Sequence, residues 1–265
     1  MAFKIAVDAG HYLKTPGKRC LKKLDAAQTR EWVLNNRIAG HFAEAARRYV
    51  GVELLRVDDP TGAKDISLKN RCKAANQWGA DLYLSIHHNA GINGGSGGGI
   101  VAYSYKEATA GAAYRDAIYD ACIAAGGLRG NRAEPVQAYG FYVLKNTDAP
   151  AVLMEYGFMD SKTDVPVILS DGYAKAMAMA TMEAIADRAK LAEKAATAAL
   201  ELPVLARGHK SEAVRAMQAL LSLRGFPCDP DGSFGPATLE QVKAFCKGGT
   251  VCDAAAWAEL LGVGV

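Results

Sequence analysis

Leu84-Ser85-Ile86-His87-His88-Asn89-Ala90 is a β-like apolar run that ends in histidine beside small residues, and two distant stretches repeat the pattern. They are Val7-Asp8-Ala9-Gly10-His11 and Val152-Leu153-Met154-Glu155-Tyr156-Gly157-Phe158. Read as strands of an open α/β sheet, their carboxyl ends converge on one crevice, which is where such folds bind ligands.

The surrounding chain supplies the rest of that sheet. Lys4–Ala9, Val52–Val57, Asp81–His87, Gly99–Tyr105, Tyr139–Leu144 and Ala151–Tyr156 read as strands. Ala26–Tyr49, Ser67–Trp78, Tyr114–Ala125 and Asp171–Lys190 read as helices; Leu34, Ile38, Phe42 and Ala45 form a stripe at helical spacing in the first. Asp25 followed three residues later by Gln28 predicts a capping box at its start. Strands alternating with helices predict an α/β fold, a largely parallel twisted sheet flanked by helices. Gly91 to Gly99, with six glycines, reads as a flexible loop next to His87.

The length of 265 residues suits one large and one small domain. The expected boundaries are a catalytic domain over 1–188, a helical linker over 189–203 rich in Ala, Lys, Glu and Leu, and a small three-helix domain over 204–265. Its helices are predicted at Ser211–Leu223, Ala237–Phe245 and Asp253–Leu261, with a turn-rich loop over Cys228–Pro236. Asp229-x-Asp231-Gly232 lacks the spacing and final Glu of a calcium loop and reads as a turn.

Composition narrows the function. A formal charge of +3 is too mild to argue for nucleic acid. No window reaches the roughly 18 uninterrupted apolar residues of a membrane span. The first residues show no secretory leader, so the expected product is soluble and made in the cytoplasm. Six cysteines without C-x-x-C spacing predict reduced, buried thiols, with Cys228 pairing to Cys246 or Cys252 only in an oxidising space.

Two imidazoles and a carboxylate at one crevice suggest a zinc hydrolase, whose metal takes three protein ligands and leaves one position for water. His11 and His87 supply two. The candidates for the third are Glu31 and Asp25, and Glu31 is preferred because Asp25 already serves as the helix N-cap. Asn35, one turn on from Glu31, is expected to hydrogen-bond the ligating carboxylate. Glu155 is then free for proton transfer: zinc would acidify water and polarise a carbonyl, while Glu155 takes the proton and returns it to the leaving amine. His88 should face away from His87, because strand side chains alternate, and pack on the other face. His41 and His209 are expected to be structural or solvated.

The motifs match a known family. Asp-x-Gly-His at Asp8–His11, Glu-x-x-x-Asn at Glu31–Asn35, the run Ala80–Ala90 and Pro-Ala-Val-Leu-x-Glu-x-Gly-Phe at Pro150–Phe158 resemble the zinc-dependent N-acetylmuramoyl-L-alanine amidases of bacterial autolysins and phage endolysins. The resemblance spans residues 3–188. It implies Zn2+ held by His11, Glu31 and His87, Glu155 as catalytic acid/base, and peptidoglycan as the substrate. The bond cut would join the lactyl group of N-acetylmuramic acid to L-alanine. The family departs here at His88, where a small or apolar residue is usual, and at Tyr156, where Val is frequent.

Residues 204–265 resemble a three-helix peptidoglycan-binding module, through Met217-Gln218-x-Leu220-Leu221 and Asp231-Gly232-x-Phe234-Gly235-Pro236-x-Thr238. Together these imply an endolysin that reaches the cell wall after release from the cytoplasm. The competing expectations are a zinc peptidase that cuts within the stem peptide and a catalytically silent wall-binding protein.

Overall fold

A computed structural model describes residues 2–194 and 202–262. The chain divides into two compact units, residues 1–195 and 196–265.

In the first unit β1 (Phe3–Ala9) leads through a long loop into α1 (Glu31–Ala46). Then come β2 (Val52–Arg56), α2 (Leu68–Trp78), β3 (Leu82–Asn89), β4 (Val101–Ser104) and α3 (Ala110–Ala124). β5 (Val136–Ala138), α4 (Tyr142–Asn146), β6 (Ala151–Phe158), α5 (Val165–Ile168) and α6 (Asp171–Ala189) complete it. The six strands form one mixed sheet in the order β2-β1-β3-β6-β4-β5, with β4 antiparallel to β6 and every other pair parallel. The expected α/β architecture is therefore present. The three strands that carry the histidine and glutamate motifs, β1, β3 and β6, are consecutive neighbours in this sheet.

Alternation along these strands separates two cores. Ile5, Val7, Leu82, Leu84, Ile86, Val152 and Met154 pack with Leu34, Ile38 and Phe42 of α1 and with residues of α3 and α6. Ala6, Tyr83, Ala151 and Leu153 point to the opposite face and pack with Cys72 and Ala75 of α2 and Val143 and Leu144 of α4. By the same two-residue period Asp8, Ser85, His87 and Glu155 share the second face.

Three local expectations fail, each for a physical reason. The first helix begins at Glu31 rather than Ala26, because Asp25 caps a tight turn instead: its carboxylate accepts from the Ala27 and Thr29 backbone N–H groups, at 3.1 and 2.6 Å, and Gln28 takes φ +49°. Tyr139–Leu144 is not a strand. Pairing with β4 stops at Ala138, and α4 follows, which lets the adjacent residues Val143 and Leu144 both be buried; a strand would send them to opposite faces. The helical linker does not start as expected either. α6 ends at Ala189, Lys190 takes the left-handed conformation, and Val50 and Lys194 donate to Ala192 O and Arg48 O, so the following residues lie beside the α1–β2 turn. The remainder of that linker, 195–201, lies outside the described residues.

The second unit has its own core of Leu205, Val214, Met217, Leu221, Phe234, Val242, Phe245, Trp257 and Leu260. Its helices are α7 (Glu212–Leu223), α8 (Pro236–Phe245) and α9 (Ala254–Leu261). Two short strands, β7 (Leu205–Ala206) and β8 (Val251–Cys252), pair antiparallel beside them. Ser211 and Asp253 cap α7 and α9 by accepting from Val214 N and Ala256 N. Buried Gln218 fixes the intervening loop. Its amide donates to Asp231 Oδ1, Ser233 O and Thr238 Oγ1, and its oxygen accepts from Gly232 N. Asp231 is thereby committed to a turn, as expected.

All six cysteines are unpaired thiols. Among the described residues no helix is long and apolar enough to cross a membrane.

Candidate metal and catalytic centre

At the carboxyl edge of the sheet, β1 delivers His11, β3 delivers His87 and β6 delivers Glu155. His87 and Glu155 are register partners on adjacent parallel strands, so their side chains leave the same face side by side. Gly10 N donates to Ile86 O at 3.0 Å and ties the end of β1 to β3. Glu31 is the first residue of α1, where a carboxylate is favoured by the helix dipole. From there it reaches over the sheet edge. Its Oε1 lies 3.0 Å from His87 Nδ1, and its Oε2 lies 3.2 Å from His11 Nε2 and 3.5 Å from Lys18 Nζ.

His11, Glu31 and His87 each present a donor atom within 4.8 Å of the others. Asp25 has no part in that group. Glu31 is wholly buried, and both Glu31 Oε2 and His11 Nε2 lack an aligned hydrogen-bond partner among the described residues. Two imidazoles and a carboxylate, with orphaned atoms turned toward one another, fit the ligand chemistry of a hydrolytic zinc site. Burial alone would raise the Glu31 pKa, but the two imidazoles beside it hold it well below the usual carboxylate range. Burial lowers His11. Burial also pushes His87 down, yet its hydrogen bond to Glu31 and the charges of Glu31, Glu155 and Asp8 together outweigh this and keep it above its ordinary value.

Glu155 stands apart from this group. Its Oε2 is buried and unpartnered, and burial pushes its pKa up to about 8, partly countered by His87. Such a carboxyl group is poised to gain and lose a proton near neutrality.

Supporting contacts differ from expectation in one place. Asn35 does not bond Glu31; its amide donates to Gly10 O at 3.1 Å and its oxygen meets His88 Nδ1 at 2.8 Å. His88 occupies the opposite face from His87, as alternation predicts, and is 2% exposed. Its backbone N–H, which any residue but proline would supply here, donates to Glu31 Oε1, while the ring that departs from the family pattern engages Asn35 instead. His41 is bonded to Asp171 and His209 lies exposed in the second unit.

Sequence reasoning missed a second network beneath the site. Arg71, from α2, is 2% exposed and pairs with buried Asp8, which also accepts from Tyr83 Oη and Ser85 Oγ. The same guanidinium donates to Ala9 O at 3.2 Å and His11 O at 2.9 Å, and so holds His11 at φ +68°. The available signal was an aspartate inside an apolar strand, which requires a cation nearby.

The Gly91–Gly99 segment is not free, as its composition suggested. Asp160 Oδ2 accepts from the N–H groups of Gly91, Ile92 and Asn93 at 2.7–2.8 Å, and Asp164 Oδ2 accepts from Gly99 N. Asp160→Ala should strand three donors and cost about 1–3 kcal/mol, read as a lower midpoint in denaturant unfolding.

Gly10 has a different constraint. A Cβ there would lie 2.0 Å from His87 Cε1 and 2.3 Å from its Nε2. Its backbone conformation is ordinary, so Gly10→Ala should fold but displace the imidazole. Zinc affinity should fall by about 10–100-fold, measured by competition with a chromogenic chelator.

A cavity of about 470 Å³ opens over these residues, lined by His11, Lys18, Arg71, His87, Phe141 and Glu155 among others. A sequence profile described as N-acetylmuramoyl-L-alanine amidase matches residues 5–187, the span that holds every residue of this centre.

The chain belongs to that amidase family.

The amidase CwlM of Bacillus licheniformis is 30% identical over 196 residues, which is 73% of this chain and 71% of CwlM. The sporulation-specific amidase of Bacillus subtilis is 31% identical over 66% of this chain and 64% of its own length. The endolysin of Bacillus phage SPP1 is 33% identical over 56% of this chain and 54% of its own. Among solved structures, the amidase from Clostridium difficile 630 superposes with TM-score 0.64 at 24% identity, over 71% of this chain and 97% of that one, and shares the fold. His11, Glu31, His87 and Glu155 of this amidase-family chain thus lie within the span that the family profile matches.

Proposed function

We propose that this chain hydrolyses the amide between the lactyl group of N-acetylmuramic acid and L-alanine in peptidoglycan, with zinc held by His11, Glu31 and His87. The observation that carries this reading is the buried cluster of three donors beside Glu155, whose own Oε2 is buried and unpartnered. Zinc bound there would lower the pKa of water to about 7 and polarise the scissile carbonyl. Glu155 takes the water proton and returns it to the departing alanine nitrogen. Burial of Glu155 and its seat beside His87 keep that proton on a short path. Arg71 and Asn35 fix the backbone of Ala9–His11, so the imidazole stays aimed.

Residues 204–265 are assigned as the wall-binding module, in keeping with their separate core and their Asp231-Gly232-x-Phe234-Gly235-Pro236 turn. Attachment of one unit to an insoluble polymer raises the local concentration of the next bond for the other. The lytic setting assigned is that of an endolysin, on the likeness to the phage SPP1 protein.

Digestion of purified cell walls followed by mass analysis tests the reaction. New L-alanine amino groups with intact lactyl-sugar fragments are expected. New amino groups only within the stem peptide would replace this reading with a peptidase.

A further inference from the structure

The geometry points to a glycan-stacking platform on the β4–β5 side of the catalytic cavity, formed by Tyr103, Tyr139 and Phe141, that holds uncharged sugar rings of the wall strand. The proposal rests on the peptidoglycan reading above and assigns which part of the polymer lies where.

The platform starts inside the cavity. Leu153 and Phe141 line it together with His87 and Glu155. Tyr103 is the cross-strand partner of Leu153, so its side chain leaves the sheet on the same face as Leu153 and Glu155. From Tyr103 the aromatic surface continues outward. Its ring centroid is 5.1 Å from Phe141 and 6.1 Å from Tyr139, and Phe141 and Tyr139 are 4.5 Å apart. Tyr139 is 55% exposed and neighbouring Tyr142 is 42% exposed, whereas core economy would bury such rings. A single exposed tyrosine needs no explanation; three mutually packed rings continuous with a catalytic cavity do.

Charge decides the occupant. Lys18 and Asp65 line the cavity elsewhere, whereas Leu153, Phe141, Tyr142 and Val143 contribute no charge. The stem peptide carries carboxylates and an amine, and suits the charged lining. A pyranose presents an apolar C–H face edged by hydroxyls, and suits flat rings that carry phenolic groups. The two ends of the scissile linkage are a sugar and a peptide, so a cavity divided in this way orients the bond across Glu155.

The test uses the full chain and two probes, the N-acetylglucosamine tetrasaccharide and a sugar-free stem tripeptide. The tetrasaccharide should shift the ring resonances of Tyr139 and Phe141 in NMR titration, and the tripeptide should leave them in place. Tyr139→Ala should raise KM for long glycan strands by about tenfold, with a smaller change for a single-sugar muramoyl peptide. Tyr139→Trp, which keeps a stacking ring, should restore it. Ring shifts with the tripeptide, no shift with either probe, or an equal KM rise for both substrates would overturn the platform. Ring shifts do not depend on turnover, so wall digests without new L-alanine amino groups would sink the amidase reading separately.

Discussion

Glu155→Gln should lower wall lysis by about 10²–10⁴-fold, the usual contribution of a positioned proton carrier, while zinc content and wall binding stay at wild-type levels. Turbidity loss of purified walls reads the first, and metal analysis and co-sedimentation read the others. The substitution keeps the shape of the side chain, and so does not open a cavity beside His87. It removes only the ability to exchange a proton. Glu155 is suited to that exchange because burial holds it up to about 8, and a cation held by neighbouring His87 would draw it back toward the working pH. A variant with full lytic activity would remove Glu155 from the chemistry.

The second large effect is expected at Glu31. Glu31→Ala should abolish stoichiometric zinc and reduce lysis to background, because the carboxylate is the one buried anion set between the two imidazoles. Glu31→Gln distinguishes ligation from folding. Its carbonyl oxygen can still accept from His88 N, which Glu31 Oε1 does at 3.3 Å, so the fold should persist while zinc affinity drops. Asp25→Ala should do the reverse: metal retained, and about 1 kcal/mol of stability lost with the turn that Asp25 caps. Equal zinc in Glu31→Gln and wild type would show that the metal is held elsewhere.

The central strands were legible because a short apolar run that ends in His or Glu beside small residues has few other readings. Their adjacency was not legible, since pairing order depends on which helices cover which face. Helix starts and the β5–α4 segment were misread for a common reason: local propensity gave one answer, and a long-range requirement gave another. Asp25 fits a capping box by spacing, yet the true helix start is fixed where Glu31 N donates to Lys18 O, thirteen residues back in the chain. Tyr139–Leu144 has strand-like composition, yet burial of both Val143 and Leu144 demands a helical turn. Glu31 was singled out by its motif, and it stands with His11 and His87 in one group. The contacts that support this group were not legible. Arg71 lies 63 residues from Asp8, Asn35 turned out to serve Gly10 and His88, and the Asp160 clamp on the glycine-rich segment spans 67–69 residues.

The grip of Arg71 on the His11 carbonyl has a consequence for how such enzymes can diversify. The imidazole takes its bearing from α2 and, through Asp8, from strand β1, rather than from the long segment that follows it. That segment contributes Thr15 and Lys18 to the cavity wall. Side chains such as Thr15 can therefore change without turning the imidazole, whereas the Lys18 carbonyl, which accepts from Glu31 N, has to stay where it is.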